Sequence, residues 1–262
     1  MAVKRILYNT LGRQRYLALI SRVFLFLYRI LALKKRFPQH YFIKKIIQDG
    51  HYAIDIGANL GYYTVPLSRL CGMKGKVYAI EPVPLFHQIL RKNVQRYGLD
   101  NVEFLAVALG KENDKTIQMG TPGGSGSFRH GLTRVINKED NQNNYTHTFE
   151  VIQWNPKILF RDLDRLDFIK CDVEGYEIYI LPEFADLIGK FRPVFQVEIS
   201  GRKNMETLFE FYKSLKYNIY YLVNNYLVLI PSGVHSESGD LYFIPEEKTN
   251  MYAHLFQPPP LT

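Results

Sequence analysis

Short apolar runs alternate with longer segments of helical period through most of this chain. Residues 53–56 and 77–80 are two such runs, joined by a glycine turn from Gly57 to Gly61 and a helix-like segment over 62–70. Pro82 and Pro84 then introduce a long helix, 85–97, which Gly98 ends as glycine often ends helices. Residues 101–109 read as a third buried strand. The rhythm returns with a strand over 166–172, a helix over 176–187, a strand over 194–199 and a helix over 205–215. Residues 218–223 and 226–230, joined by Asn224-Asn225, read as a closing hairpin. Strands alternating with helices predict an α/β domain, a parallel sheet covered by helices on both faces.

Three segments stand outside that rhythm. Residues 110–146 contain Gly120-Thr-Pro-Gly-Gly-Ser-Gly-Ser127 and an Asn-rich piece over 137–144, between strand-like 116–119 and 146–154. We read 110–150 as an insertion, either a solvent-facing connector or a lid over a substrate. It is not a phosphate-binding P-loop, because no Gly-Lys-Ser/Thr follows the glycines. The domain then spans 49–232, and 233–262 reads as an aromatic, proline-ended tail without chemistry.

Residues 1–48 read as a basic helical extension with no Gly or Pro between Arg13 and Phe37. Arg15, Arg22, Arg29 and Arg36 recur every seven residues, which sets them along one side of a helix. Arg22 and Arg29 interrupt the apolar stretch too early for a membrane span. Lys34-Lys35-Arg36 stands where a signal peptide needs small residues for cleavage. Two readings are open: the helix packs on the domain and covers the mouth of its site, or it lies in a membrane interface with its arginines at the head groups. Packing is favoured, because apolar helices are more often core than anchor.

Composition changes this little. With 47% hydrophobic and 22% charged residues, the chain can bury a sizeable core and is not of the disordered class. Aromatics at 14% mark no site by themselves. A net charge of +8 favours anionic partners, among them phosphorylated or lipid-linked glycans, head groups and nucleic acid. Cys71 and Cys171 form no CxxC and no Cys/His pairing, which excludes a disulfide scaffold or structural zinc and fits a cytoplasmic protein, peripheral to a membrane if residues 1–36 touch one.

Strand, glycine turn, helix, strand and the terminal acid Glu81 make up a nucleotide-binding βαβ unit. A nicotinamide dinucleotide needs G-x-G-x-x-G, and here Asn59 takes the place of the middle glycine, where its side chain would crowd a pyrophosphate. Asp55, in the strand just before the turn, would repel that anion. The same acid suits the amino group of a methionine moiety. S-adenosylmethionine has that amine, no pyrophosphate, a ribose for Glu81 and an adenine that needs an apolar slot, here near Val107-Ala108. The residues therefore select S-adenosylmethionine as cofactor.

Asp55-x-Gly-Ala-Asn-x-Gly-x-Tyr63-Thr64, Glu81-Pro82, and Ile169-Lys-x-Asp-Val-Glu-Gly-x-Glu177 with Arg192-Pro193 and Glu198-Ile199 resemble the FkbM family of S-adenosylmethionine-dependent methyltransferases. The resemblance covers about residues 50 to 200 in order and spacing. It implies a Rossmann-like class I methyltransferase fold, a mostly parallel seven-stranded sheet with a reversed last strand, to which the 218–230 hairpin corresponds. It implies methyl transfer to a hydroxyl oxygen of a sugar, glycan or natural product. By residue, it makes Asp55, Gly57, Asn59 and Gly61 contacts of the methionine part and Glu81 the ribose contact, with Tyr63, Thr64 and Pro82 in the same motifs. Ser125 and Ser127 fall where the family has a serine-containing loop. Leu159-Phe-Arg-Asp-Leu-Asp164 is shorter than the family's usual approach to the strand, and the basic helix lies outside the shared region.

Methyl transfer from a sulfonium needs an aligned nucleophile and a group to take its proton. Asp172, Glu174 and Glu198 end adjacent parallel strands, where ligands collect in open α/β sheets. Asp172 is the expected base, Glu174 the second choice, and Glu198 is expected to orient the acceptor. The competing reading is that these acids cap the following helix or tie loops to the sheet. No flanking Asn or His completes a metal site. Lys170 alternates with Asp172 and faces the same side, an arrangement shared with RNA ribose methyltransferases. No RNA-binding motif accompanies it, so nucleic acid ranks below a hydroxyl-bearing small molecule or glycan. A non-catalytic glycan- or membrane-binding module with a degenerate pocket is the alternative of another class, and the intact Asp55 and Glu81 weigh against it.

Overall fold

The computed structural model describes residues 2–31, 35–122, 132–136, 145–231 and 238–256. Helix α1 (Ala2–Ile30) bends at Gly12, whose φ is 71°. A short helix, α2 (Pro38–Phe42), leads into β1 (Tyr52–Ile56), α3 (Thr64–Cys71), β2 (Lys76–Ile80), α4 (Pro84–Arg96) and β3 (Val102–Leu105). The chain then leaves the sheet for β4 (Ala108–Leu109), β5 (Lys115–Pro122), β6 (Arg134–Val135) and β7 (Tyr145–Trp154), followed by α5 (Pro156–Leu159). It returns with β8 (Phe168–Cys171), the short helices α6 (Glu177–Ile180) and α7 (Ala185–Phe191), then β9 (Val194–Ser200) and α8 (Arg202–Ser214). Strands β10 (Tyr217–Val223), β11 (Tyr226–Leu229) and β12 (Ser238–Pro245) follow.

The main sheet has the order β11-β10-β12-β9-β8-β1-β2-β3. Pairings from β3 through β9 are parallel, whereas β12 runs antiparallel to both β9 and β10. The six parallel strands alone stand in the doubly wound Rossmann order, with the direction of winding reversing between β1 and β8. This is the Rossmann-like class I methyltransferase arrangement, with one reversed strand inserted.

Two details correct the sequence reading. The sheet has eight strands, because β11 adds an antiparallel edge to β10. The hairpin's β11 is reversed at the edge, and a second reversed strand, β12, inserted between β9 and β10, is drawn from residues assigned to a tail. Leu241, Tyr242, Phe243 and Ile244 are all buried in it. A strand covered on both faces reads as an unbroken apolar run without alternation, so periodicity gave no sign of it.

The flanks of the insertion are strands, as their sequence reads, while residues 123–131 and 137–144 lie outside the described residues. The strands build a second, four-stranded sheet, β4-β7-β5-β6, with β5 and β7 paired from Lys115↔Gln153 to Pro122↔Tyr145. The apolar run over 101–109 divides between the two sheets: β3 pairs with β2, and β4 pairs with β7. Ser125 and Ser127 lie outside the described residues.

One face of the main sheet packs Ile169 and Val197 against Phe184, Met205 and Tyr212. The other packs Ala53, Val77 and Tyr242 against Phe42, Leu67 and Tyr252. Helix α1 sits beside α4. Leu17 joins Leu60, Phe86 and Ile89, and Leu25 joins Ala58, Val65 and Leu90, so the extension covers the outside of the Gly57–Gly61 turn.

The buried β12 carries a stability prediction. Phe243 is fully buried and stacks on Tyr212 with ring centroids 4.2 Å apart. Phe243→Ala is expected to cost about 3–5 kcal/mol in urea unfolding. An unshifted urea midpoint would return residues 238–245 to the status of a tail.

Candidate active site

The site is built where β1 and β8 end side by side. Gly57 has φ 79°, and a Cβ placed on it would lie 1.9 Å from the Asp172 carbonyl oxygen, so only glycine lets the two strand ends approach. The Asp172 N–H donates to the Ile56 carbonyl at 3.0 Å and locks that approach. Asn59 also adopts positive φ, 49°. Its N–H donates to Glu81 Oε2 at 2.8 Å, while the Val83 N–H donates to Oε1 at 2.8 Å. Asp55 is buried, and Thr64 Oγ1 donates to its Oδ2 at 2.5 Å. Burial pushes Asp55 up to about 6, against the pull of Thr64 and Lys170. Burial likewise pushes Glu81 up to about 7, although two backbone N–H groups favour its charged form.

Lys170 is the second organising residue. Its side chain is buried, with Nζ 3.5 Å from Asp240 Oδ1 on β12 and 3.9 Å from Asp172 Oδ2. Burial alone would lower the ammonium, but Asp172, Asp240 and Glu198 outweigh it and hold Lys170 above its ordinary range. The ammonium also lies 5.1 Å from the centre of the Tyr63 ring. Gln196 donates to the Tyr63 hydroxyl at 2.8 Å, and His40 stacks on the Tyr63 ring at 4.0 Å. Burial, helped by Lys170, drives His40 down to about 3, so it is neutral.

Glu174 sits at φ 55°, a left-handed conformation that costs a non-glycine residue about 1–2 kcal/mol. Burial, with Asp172 and Glu198 nearby, pushes it up to about 8. Burial, with Asp172 and Asp240, pushes Glu198 up to about 7. The loop-tying role falls to a different acid: Glu177 Oε1 accepts the N–H groups of Val173 at 3.0 Å and Gly175 at 3.2 Å.

These groups surround a cavity of about 610 Å³. Asp55, Gly57, Asn59, Tyr63, Glu81, Pro82, Val107 and Ala108 line it, as do Lys170, Asp172, Glu174 and Glu198. Gly61 and Thr64 stand behind the wall. A Cβ on Gly61 would lie 2.9 Å from Leu90 Cδ1, and Thr64 acts on the cavity by holding Asp55. Sequence reasoning missed His40 and Asp240, both of which also line the cavity. An apolar run after Asp240 was the available signal for a strand end; nothing local marked His40. No group of three or more His, Cys, Asp and Glu side chains among the described residues is arranged to hold a metal ion.

The Methyltransferase FkbM domain matches residues 55–225, from Asp55 at the end of β1 to the β10–β11 turn. The chain belongs to the FkbM methyltransferase family. The family's cofactor is S-adenosylmethionine. A solved FkbM methyltransferase from Methylobacillus flagellatus is 18% identical with a TM-score of 0.47, covering 75% of this chain and 44% of that one. A methyltransferase from Streptococcus mutans, solved in complex with SAH, is 12% identical with a TM-score of 0.44, covering 78% and 94%. Among curated proteins, the chain is similar over 57 residues, at 35% identity, to protein-L-isoaspartate O-methyltransferase of Methanocella arvoryzae, 22% of this chain and 30% of that protein. It is 40% identical over 52 residues to a probable cobalt-precorrin-6B C(15)-methyltransferase of Sulfolobus acidocaldarius, 20% and 27%. The chain thus matches less than a third of the length of these two curated relatives.

The cavity of this FkbM methyltransferase fits that cofactor. Asn59 Oδ1 is buried in the wall without a hydrogen-bond partner, which leaves an acceptor for a ligand donor. Asp55 offers a carboxylate to a cationic amine, and each Glu81 oxygen keeps a lone pair for a ribose hydroxyl. Val107 and Ala108 in the lining would give an adenine an apolar surface.

The raised acids fix a pH dependence. Glu174 binds its proton up to about pH 8 in the folded protein but only to its ordinary 4.5 when unfolded. Over that window the folded state holds more protons, so stability is greatest at the acid end and falls as pH rises. The unliganded protein is expected to lose melting temperature from about pH 5 to pH 8, and Glu174→Gln to flatten the decline. Parallel melting curves for the two proteins across that range would exclude Glu174 as its source.

Proposed function

We propose that this FkbM methyltransferase transfers a methyl group from S-adenosylmethionine to a hydroxyl oxygen of a sugar, glycan or natural-product acceptor. The observation that carries the reading is the carboxylate pair Asp172 and Glu198, set beside a buried lysine at the cofactor end of the cavity. Bound S-adenosylmethionine supplies an electrophilic methyl group. The chain's part is to hold the acceptor and take one proton from it.

A hydroxyl is a weak nucleophile unless its proton leaves as the new bond forms, and a base is most effective when its pKa lies near the working pH. Glu198, pushed up to about 7, meets that condition. Asp172 is tied to the Lys170 ammonium at 3.9 Å. We therefore assign proton acceptance to the Glu198 carboxylate and orientation of the acceptor hydroxyl to Asp172, which exchanges the roles expected from sequence. Lys170 sets a positive charge 3.9 Å from Asp172 at the centre of this group of acids. Val107, Ala108 and Met119 give the cavity an apolar wall. The curated relatives include both an O- and a C-methyltransferase, so the choice of oxygen rests on this proton chemistry.

Glu198→Gln and Asp172→Asn are each expected to lower turnover by about 10²-fold or more. Both should bind S-adenosylhomocysteine like the unaltered protein in calorimetry. Asp55→Ala should instead lose that binding. Full turnover by Glu198→Gln would remove Glu198 as the base, and unchanged binding by Asp55→Ala would refute the cofactor assignment.

A further inference from the structure

Helix α1 is apolar on both sides, and only one side is used. Leu17, Ser21, Leu25 and Tyr28 face the domain and are buried. Leu19, Val23, Phe26 and Ile30, at spacings of four, three and four, form a stripe on the opposite side. They are 37%, 47%, 55% and 57% exposed. Arg15, Arg22 and Arg29 run along one edge of this stripe, also exposed.

The charge around the stripe selects its occupant. Residues 1–48 contain eleven lysines and arginines and not one Asp or Glu. All 25 acids lie beyond residue 48, alongside the other 22 basic residues, so the positive charge of the chain resides in this extension. A second copy seated on the stripe would set two such rows of arginine against each other, since a two-fold contact repeats the same patch. A surface that is apolar inside and anionic at its boundary matches both features at once: aliphatic and phenyl side chains enter below the head groups while guanidinium groups meet the phosphates. No helix among the described residues is long and apolar enough to cross a membrane, so contact here lies in the plane of the interface.

We propose that the outward face of α1, centred on Val23, Phe26 and Ile30, docks the protein on the surface of an anionic lipid bilayer. The docking face is separate from the groups that hold cofactor or move the proton, and it stands whether or not the proposed chemistry does. Past the end of the helix, Arg36 is exposed and also lines the cavity.

The test is flotation of the full chain with phosphatidylcholine vesicles, with and without phosphatidylglycerol. The unaltered protein is expected to float with the anionic vesicles and to be released by high salt. Phe26→Glu should lower the bound fraction at least roughly tenfold with an unchanged melting temperature, because the side chain is exposed and belongs to none of the buried clusters. Arg22→Glu with Arg29→Glu should abolish the preference for phosphatidylglycerol. Failure of the unaltered protein to float overturns the proposal, as does equal flotation of a folded Phe26→Glu. If light scattering shows a dimer that Phe26→Glu converts to monomer, without vesicle binding by either protein, the stripe belongs to a second copy and the proposal is overturned.

Discussion

A lysine ammonium buried among strands is tolerable only if carboxylates reach it, and Lys170 imposes that demand on the centre of this sheet. Desolvating one charge without partners costs several kcal/mol or neutralises the group. The partners come from three directions: Asp172 follows on the same chain segment, Glu198 lies on β9, and Asp240 lies on β12. The reversed strand therefore has an electrostatic as well as a packing function. It brings the carboxylate nearest to the ammonium, 3.5 Å away, into a sheet whose parallel strands alone would leave that side of Lys170 uncharged.

The same group sets the tone of the cavity. Acids crowded around one cation cannot all be ordinary acids. Asp55, Glu81, Glu174 and Glu198 are raised by burial first and by one another second, while His40, next to the ammonium, is driven neutral. The result is a pocket that offers negative charge to a cationic cofactor and still retains groups able to take a proton near neutrality.

Much of this was legible in the order of residues. The glycine turn, the Asp55 before it and the Glu81 after it declare a nucleoside site through spacing alone. Asn59 in place of a glycine separates a sulfonium cofactor from a dinucleotide. What escaped was tertiary. An apolar run such as 241–244 looks the same whether it ends a chain loosely or fills the middle of a sheet, and only its neighbours decide. The insertion was legible in part: its flanks read as strands and are strands, but the long-range pairing of β5 with β7 into a second sheet has no local sign. The stacking of His40 on Tyr63 joins residues remote in sequence by surface shape, for which the chain carries no periodic sign.

The position of β12 has one more consequence, for the order of events during synthesis. It pairs with β9 and with β10, and both precede it along the chain. A nascent polypeptide emerging from the ribosome can join β3, β2, β1, β8 and β9 as each appears, but β10 has no neighbour to connect it to that array until residues 238–245 arrive. The chain is thus made with an open slot between β9 and β10, and a late segment closes the gap and adds Asp240 to the carboxylates around Lys170 in one movement.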